Sequence, residues 1–320
     1  MQPKLLPDGS QYYTGRSVKS QEGYSRFEFS EDGYRLPLPS KDIEPRVLII
    51  GDSFTQAAQV SDEDTYVIQA QRNLDSMGVK AALWNAGSAG LSTPVYIGVA
   101  AHFRETLQSK WAVVQLNTLD FRLDRTDKSR VYWVEPEGDS FTLKHNSMNA
   151  AGVFGPKVLR KIPGAVAALR TATLLSLGQT FIEKLTAKPD EAGHVGPKEK
   201  PDLQAVAKEE ETVASYVRWS VRELKRAYGN LVILYVPTIN YFDLDEAHPS
   251  DEAVLAAACQ EEGVPLVNPR PVYEEEFKKT GRPSHGFSNT TPGVGHLNST
   301  GNRLLGQELA KVLGSVLERP

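Results

Sequence analysis

Cysteine is nearly absent from this chain. Cys259 is the only one in 320 residues, so no disulfide can close within the chain and no thiolate zinc site can be built from it. It lies in the alanine-rich run 255–260, where a thiol behaves as a small core residue. A basic excess is also missing. The 36 Lys and Arg against 40 Asp and Glu leave a net charge of −4, which argues against a nucleic-acid surface. No apolar run approaches the ~20 residues needed to cross a bilayer, and Met1–Pro7 lacks the apolar core of a signal peptide. Histidines are few and scattered. No His-x-x-x-His pair or His/Asp cluster has metal-ligand spacing, so neither a metal nor a cofactor is expected.

What is present suits a folded α/β protein. With 40% hydrophobic and 24% charged residues the chain can bury a sizeable core. Val47–Ile50 is an uninterrupted apolar run, the pattern of a strand buried on both faces. Similar short runs recur at Ala81–Trp84, Ala112–Leu116, Leu231–Val236 and Val264–Val267. Helical spacing falls between them: Val67, Ala70, Leu74 and Met77; about 95–107; Val206 to Leu224; Ser250–Glu262; and Leu304 to Leu313. Strands alternating with helices imply right-handed crossovers and a mainly parallel sheet.

Two stretches break the rhythm. Residues 1–45 are rich in Gly, Ser, Pro and Tyr and read as an extended arm packed on the core, with solvated charges and a short edge strand at Phe27-Glu-Phe29. Residues 46–320 form the main domain, with an insertion or lid at about 123–203. Within it, Val131–Val134 and Ser140–Leu143 read as a β-hairpin. Apolar helices are expected near Val158–Leu169 and Thr173–Leu185, followed by a polar loop over Thr186–Asp202.

Gly51-Asp52-Ser53 follows the first buried strand directly. A serine at that position stands on the sheet edge where open α/β proteins bind ligands, although all three residues also favour an ordinary turn. Acyl transfer needs a base for that serine and donors for the oxyanion. Six histidines are available. His102 sits in a helical run, and His145, His194 and His248 in polar stretches. His285 and His296 flank a glycine-rich loop. His296 has the better setting, with glycine before it and Asn298 and Ser299 placed to cap the last helix. Read from the residues alone, His296 serves equally as a base or as a helix-entry residue.

The order Gly51-Asp-Ser53, Asn85-Ala-Gly-Ser-Ala-Gly90, a strand running into Leu116–Phe121, and Gly295-His-Leu-Asn298 with Gly301 resembles the SGNH (GDSL) hydrolase family. The resemblance covers about 46–125 and 205–318 and leaves the arm and the insertion aside. It implies a flavodoxin-like three-layer α/β/α sandwich. It makes Ser53 the nucleophile, His296 the base, and the Ser53 and Gly90 backbone N–H groups oxyanion donors. Two positions depart from the family pattern. Leu119 stands where the oxyanion asparagine belongs, and Asn117, two residues earlier, is the substitute donor if the chain stays extended there. Gly293 stands where the family's orienting aspartate belongs, and no aspartate follows Phe277, so a backbone carbonyl or an acid from elsewhere must orient His296. Asp52, Asp120 and Arg122 are candidate substrate contacts. Arg122, with Arg125, would meet an anionic or sugar substrate, against the more ordinary role of a surface salt bridge.

The function implied is a serine esterase removing a small acyl group, acetyl first, from a carbohydrate. Two alternatives use the same region: acyl transfer to a sugar hydroxyl, and a non-catalytic carbohydrate- or partner-binding module with a decayed site. Expected partners are therefore a small ester or glycan, not nucleic acid. The sequence leaves localisation open: as given it reads as soluble with no export signal, and the tyrosine-rich arm, scarce cysteine and glycan chemistry favour a place outside the cytoplasm if a targeting segment has been removed.

Overall fold

The computed structural model describes residues 2–5, 11–19, 22–122, 131–138, 140–145, 203–245 and 249–318. The first three strands, β1 (Gln2–Leu5), β2 (Gln11–Lys19) and β3 (Ser25–Phe29), pair antiparallel in the order β1-β2-β3. The start of the chain is therefore a small sheet rather than a plain extended arm. Alternation at Phe27-Glu-Phe29 has the expected outcome: both phenylalanines are buried against Ala58, and Glu28 is only partly covered.

The central sheet is built from β4 (Arg46–Ile50), β5 (Ala82–Asn85), β6 (Trp111–Leu116), β9 (Leu231–Tyr235) and β10 (Leu266–Val267). The remaining strands, β7 (Tyr132–Glu137) and β8 (Ser140–His145), form the expected antiparallel hairpin. Sheet order is β5-β4-β6-β9-β10, and every neighbouring pair is parallel. This is the flavodoxin-like order. Its direction reverses between β4 and β6, which opens a crevice beyond the C-terminal ends of those strands.

The apolar run of β4 has a direct cause. Leu48 and Ile50 enter one core and Val47 and Ile49 the other, and none of the four is exposed. Helices cover both faces. α1 (Ser53–Gln56) is a single turn. α2 (Tyr66–Ser76) and α8 (Ser299–Leu317) lie on one face, and α3 (Thr93–Leu107) and α5 (Leu203–Tyr228) on the other. α4 (Thr118–Arg122) and α6 (Ser250–Glu261) follow β6 and β9. Met77 does not join the α2 stripe; it lies past the helix end and is exposed.

One helix was not expected: α7 (Arg270–Thr280). Its apolar residues are few: Val272, Tyr273 and Phe277 reach the core from an otherwise charged segment. Pro271 in its first turn needs no intrahelical donor, and Tyr273 is buried. Its first residue, Arg270, pairs with Glu252 of α6 through Nε (2.8 Å to Oε1) and Nη2 (2.6 Å to Oε2). The expected helices near 158–169 and 173–185, and the loop 186–202, lie outside the described residues.

Candidate active site

The crevice is furnished first by the turn after β4. An added Cβ at Gly51 would lie 2.1 Å from Thr55 Oγ1 and 2.5 Å from Gln115 Oε1, so only glycine lets the turn close against β6. Asp52 caps α1, its Oδ1 accepting the Phe54 N–H at 2.9 Å. Ser53 then occupies the first helical position. Gln115 steadies the turn from below, its Oε1 accepting from Asp52 N at 3.2 Å and from Thr55 Oγ1 at 3.0 Å.

The loop after β5 locks onto the same turn. Asn85 Nδ2 donates to Thr55 O at 2.9 Å, and Ser88 N donates to Gly51 O at 3.0 Å. Gly90, at φ +80°, follows at the exposed end of this loop.

The third contribution is the loop between His285 and Leu297, closed at its base by a bridge between those two residues. Gly286 N donates to His296 O at 2.9 Å, and Asn298 Nδ2 donates to Gly286 O at 3.1 Å and to Pro283 O at 2.8 Å. Asn298 also caps α8, accepting from Gly301 N at 3.1 Å. So pinned, the loop holds His296 Nε2 2.8 Å from Ser53 Oγ. The Phe54 ring flanks the imidazole with centroids 5.0 Å apart.

The other imidazole nitrogen has a partner that sequence reasoning missed. His296 Nδ1 lies 2.7 Å from Glu22 Oε2, and the His296 backbone N–H donates to Glu22 Oε1 at 2.8 Å. The charges of the first 45 residues were expected to be merely solvated. Glu22 is instead inside the site, its side chain 18% exposed against 24% for His296. One signal pointed this way: with no aspartate after Phe277, an acid would have to come from elsewhere in the chain.

The second histidine of the loop has a different part. His285 is 5% exposed. Burial, then the neighbouring His296 and Arg270, push its pKa down to about 4, so the ring is neutral at pH 7. Tyr241 Oη accepts the Ser284 N–H at 3.1 Å and shares a hydrogen bond with His285 Nδ1 at 3.0 Å. His285 thus anchors the loop and His296 presents from it. Of the other histidines, His102 lies on α3 and His145 ends β8 with its ring 4.8 Å from that of Tyr132. His194 and His248 lie outside the described residues.

Three of the expected site residues are engaged with one another. Asn117 does not continue an extended strand, because β6 ends at Leu116. It caps α4: its Oδ1 accepts from Leu119 N at 2.8 Å, while Asp120 Oδ2 accepts from Asn117 N at 3.0 Å. That is a reciprocal capping box with aspartate in the acidic position. Asn117 Nδ2 donates to Asp52 Oδ2 at 2.8 Å, so the amide braces the turn that carries Ser53. Asp52 and Asp120, 9% and 2% exposed, are engaged in these internal bonds. Arg122 ends α4, and Arg125 lies outside the described residues.

Among the described residues no group of three or more His, Cys, Asp or Glu is arranged to hold a metal ion, and no helix is long and apolar enough to cross a membrane. No protein-family model and no curated protein matches the chain. Solved structures are similar in fold. LAE5, an alpha/beta hydrolase enzyme from the metagenome of Lake Arreo, is 13% identical with a TM-score of 0.44, over 85% of this chain and 95% of that one. Axe2, an acetylxylan esterase from Geobacillus stearothermophilus, is 12% identical with a TM-score of 0.45, over 85% and 94%. A member of the lipolytic G-D-S-L family from Veillonella parvula is 12% identical with a TM-score of 0.42, over 84% and 98%.

Proposed function

We propose that this chain is a serine esterase of the SGNH type, acting on a small acyl ester. The observation that carries the reading is the 2.8 Å approach of His296 Nε2 to Ser53 Oγ at the switch point of a parallel sheet. A serine, a base within hydrogen-bond reach and a group holding the base are the parts nucleophilic acyl transfer requires.

In the first step Ser53 Oγ attacks the ester carbonyl carbon and His296 Nε2 takes the hydroxyl proton. The tetrahedral oxyanion is met by the Ser53 N–H and, on the resemblance of Asn85–Gly90 to the family loop, by the Gly90 N–H. Collapse breaks the bond to the alcohol, which leaves with the proton from His296. Water, deprotonated by His296, then releases the acid from Ser53. Acetyl as the acyl group and a carbohydrate as the alcohol rest on the sequence resemblance. The decayed-module alternative loses one of its two supports, since a carboxylate stands at His296 despite Gly293.

Hydrolysis of p-nitrophenyl acetate by the wild type and by Ser53→Ala tests the reading. The variant is expected to lose at least about 10³-fold in kcat, the scale of removing an activated nucleophile. Equal rates would reject the proposal.

A further inference from the structure

We propose that Glu22 is the residue that positions His296 and that Asn289 in turn sets Glu22; this rests on the Ser53–His296 reading above. Both Glu22 carboxylate oxygens are engaged by one residue, Oε2 with the ring nitrogen at 2.7 Å and Oε1 with the backbone N–H at 2.8 Å. A carboxylate held at two points fixes the plane of the ring as well as its tautomer. With Nδ1–H donating a hydrogen bond to Glu22, the Nε2 lone pair faces Ser53. When Nε2 takes the serine proton, the imidazolium that forms lies against a negative charge. Glu22 keeps its charge throughout, as the orienting acid of a triad does.

The surroundings are shaped to this contact. Gly295 has φ +92°, and a Cβ there would come within 2.5 Å of Glu22 Oε1. The position that the family pattern reserves for the acid is closed, because Gly293 has φ +84° and a Cβ there would press on the Tyr241 ring at 3.0 Å. The residue after Glu22 is clamped by one side chain: Asn289 Oδ1 accepts from Gly23 N at 2.8 Å, and Asn289 Nδ2 donates to Gly23 O at 3.4 Å. Close behind lie Gln59 O, from the loop after Ser53, and the Phe287 ring, from the loop of His296. They stand 2.7 and 2.8 Å from where a Gly23 Cβ would be. Ser25 Oγ donates to Ala58 O. The segment Glu22–Ser25 is thus wedged between the loop of the nucleophile and the loop of the base.

The test combines kinetics with proton NMR of the histidine ring in the full-length protein. Glu22→Gln is expected to lower kcat by about 10²- to 10⁴-fold, as when a triad acid becomes an amide. KM should stay within about twofold, the acid limb of the kcat/KM profile should move to lower pH, and the low-field His296 Nδ1 proton should vanish. Glu22→Asp should recover part of the rate. Asn289→Ala should lower kcat about tenfold and broaden or shift the same resonance, with its unfolding midpoint close to the wild type. A Glu22→Gln protein with wild-type kcat, an unmoved acid limb and an intact resonance would overturn the assignment of Glu22. An Asn289→Ala protein with kcat and resonance unchanged would overturn that of Asn289. If Ser53→Ala hydrolyses ester as fast as the wild type, the esterase reading falls, and the resonance still decides whether Glu22 holds the ring.

Discussion

Two histidines at the ends of one loop show how burial divides labour between identical side chains. His296 is partly open to solvent beside Ser53, whereas His285 is buried with its pKa near 4. An unfolded His285 titrates near the ordinary 6.5, so between about pH 6.5 and 4 the unfolded chain binds a proton that the native protein refuses. Its contribution to stability is therefore full above pH 6.5 and is lost as pH falls toward 4, by up to ~3 kcal/mol. Chemical denaturation across this range should show a steeper loss for the wild type than for His285→Gln. Parallel curves would mean that His285 is not the group responsible. Sequence context distinguished these residues only weakly. His296 stood out for its Gly295 and Asn298 neighbours, but nothing in the local pattern around His285 revealed its partner Tyr241, brought in by another loop.

At the scale of elements, the site depends on how α8 docks against α2. Asn302, 1% exposed, joins them: its Oδ1 accepts from Tyr66 N at 3.0 Å, and its Nδ2 donates to Leu297 O at 3.0 Å. Asn302→Ala leaves a buried donor and a buried acceptor without these partners, at a cost of about 2–4 kcal/mol. The melting temperature should drop by several degrees, and kcat should fall as well, since Leu297 adjoins His296. A melting temperature within a degree of the wild type would contradict this account. The strands of the central sheet were readable because each had to be apolar on both faces. Elements held by specific pairs were not. α7 is fixed at its start by the buried Arg270–Glu252 pair, which leaves no periodic trace, while Tyr273 and Phe277 add only a short apolar contact in a charged stretch. The chain does not stay extended at Asn117, because Asp120 closes a capping box there, a pairing that no hydrophobic period announces.

At the scale of the molecule, the antiparallel sheet and the open α/β core meet at Arg35. Its guanidinium is almost wholly buried. Nε donates to Asp62 Oδ1 at 2.9 Å, Nη2 to Val60 O at 2.7 Å, and Nη1 to Gln56 O. Its backbone N–H donates to Asn85 O at 2.9 Å. Bridged to Phe29 of β3, this residue ties the first sheet both to the segment after Ser53 and to the end of β5. Arg35→Leu removes the donors to two carbonyls and should cost about 2–4 kcal/mol, discounted for the partial exposure of Asp62. Amide exchange should quicken at residues 56–62 before it quickens in β4 or β6. Uniform protection would refute the role. Legibility was poorest at this scale. Ser53 and His296 each sit in a short local pattern, but Glu22 lies 274 residues from His296 in a stretch with little periodicity. A lone glutamate beside a glycine carries no mark of what will face it.

That separation has a consequence for how the protein comes into being. Synthesis delivers Glu22 first, Ser53 next and His296 last of the three, so a nascent chain that already holds its nucleophile still lacks its base. Closing so long a loop is a late and entropically costly event. Helical content can return during refolding well before the three side chains meet. Turnover, more than circular dichroism, would report that the last long-range contact has formed.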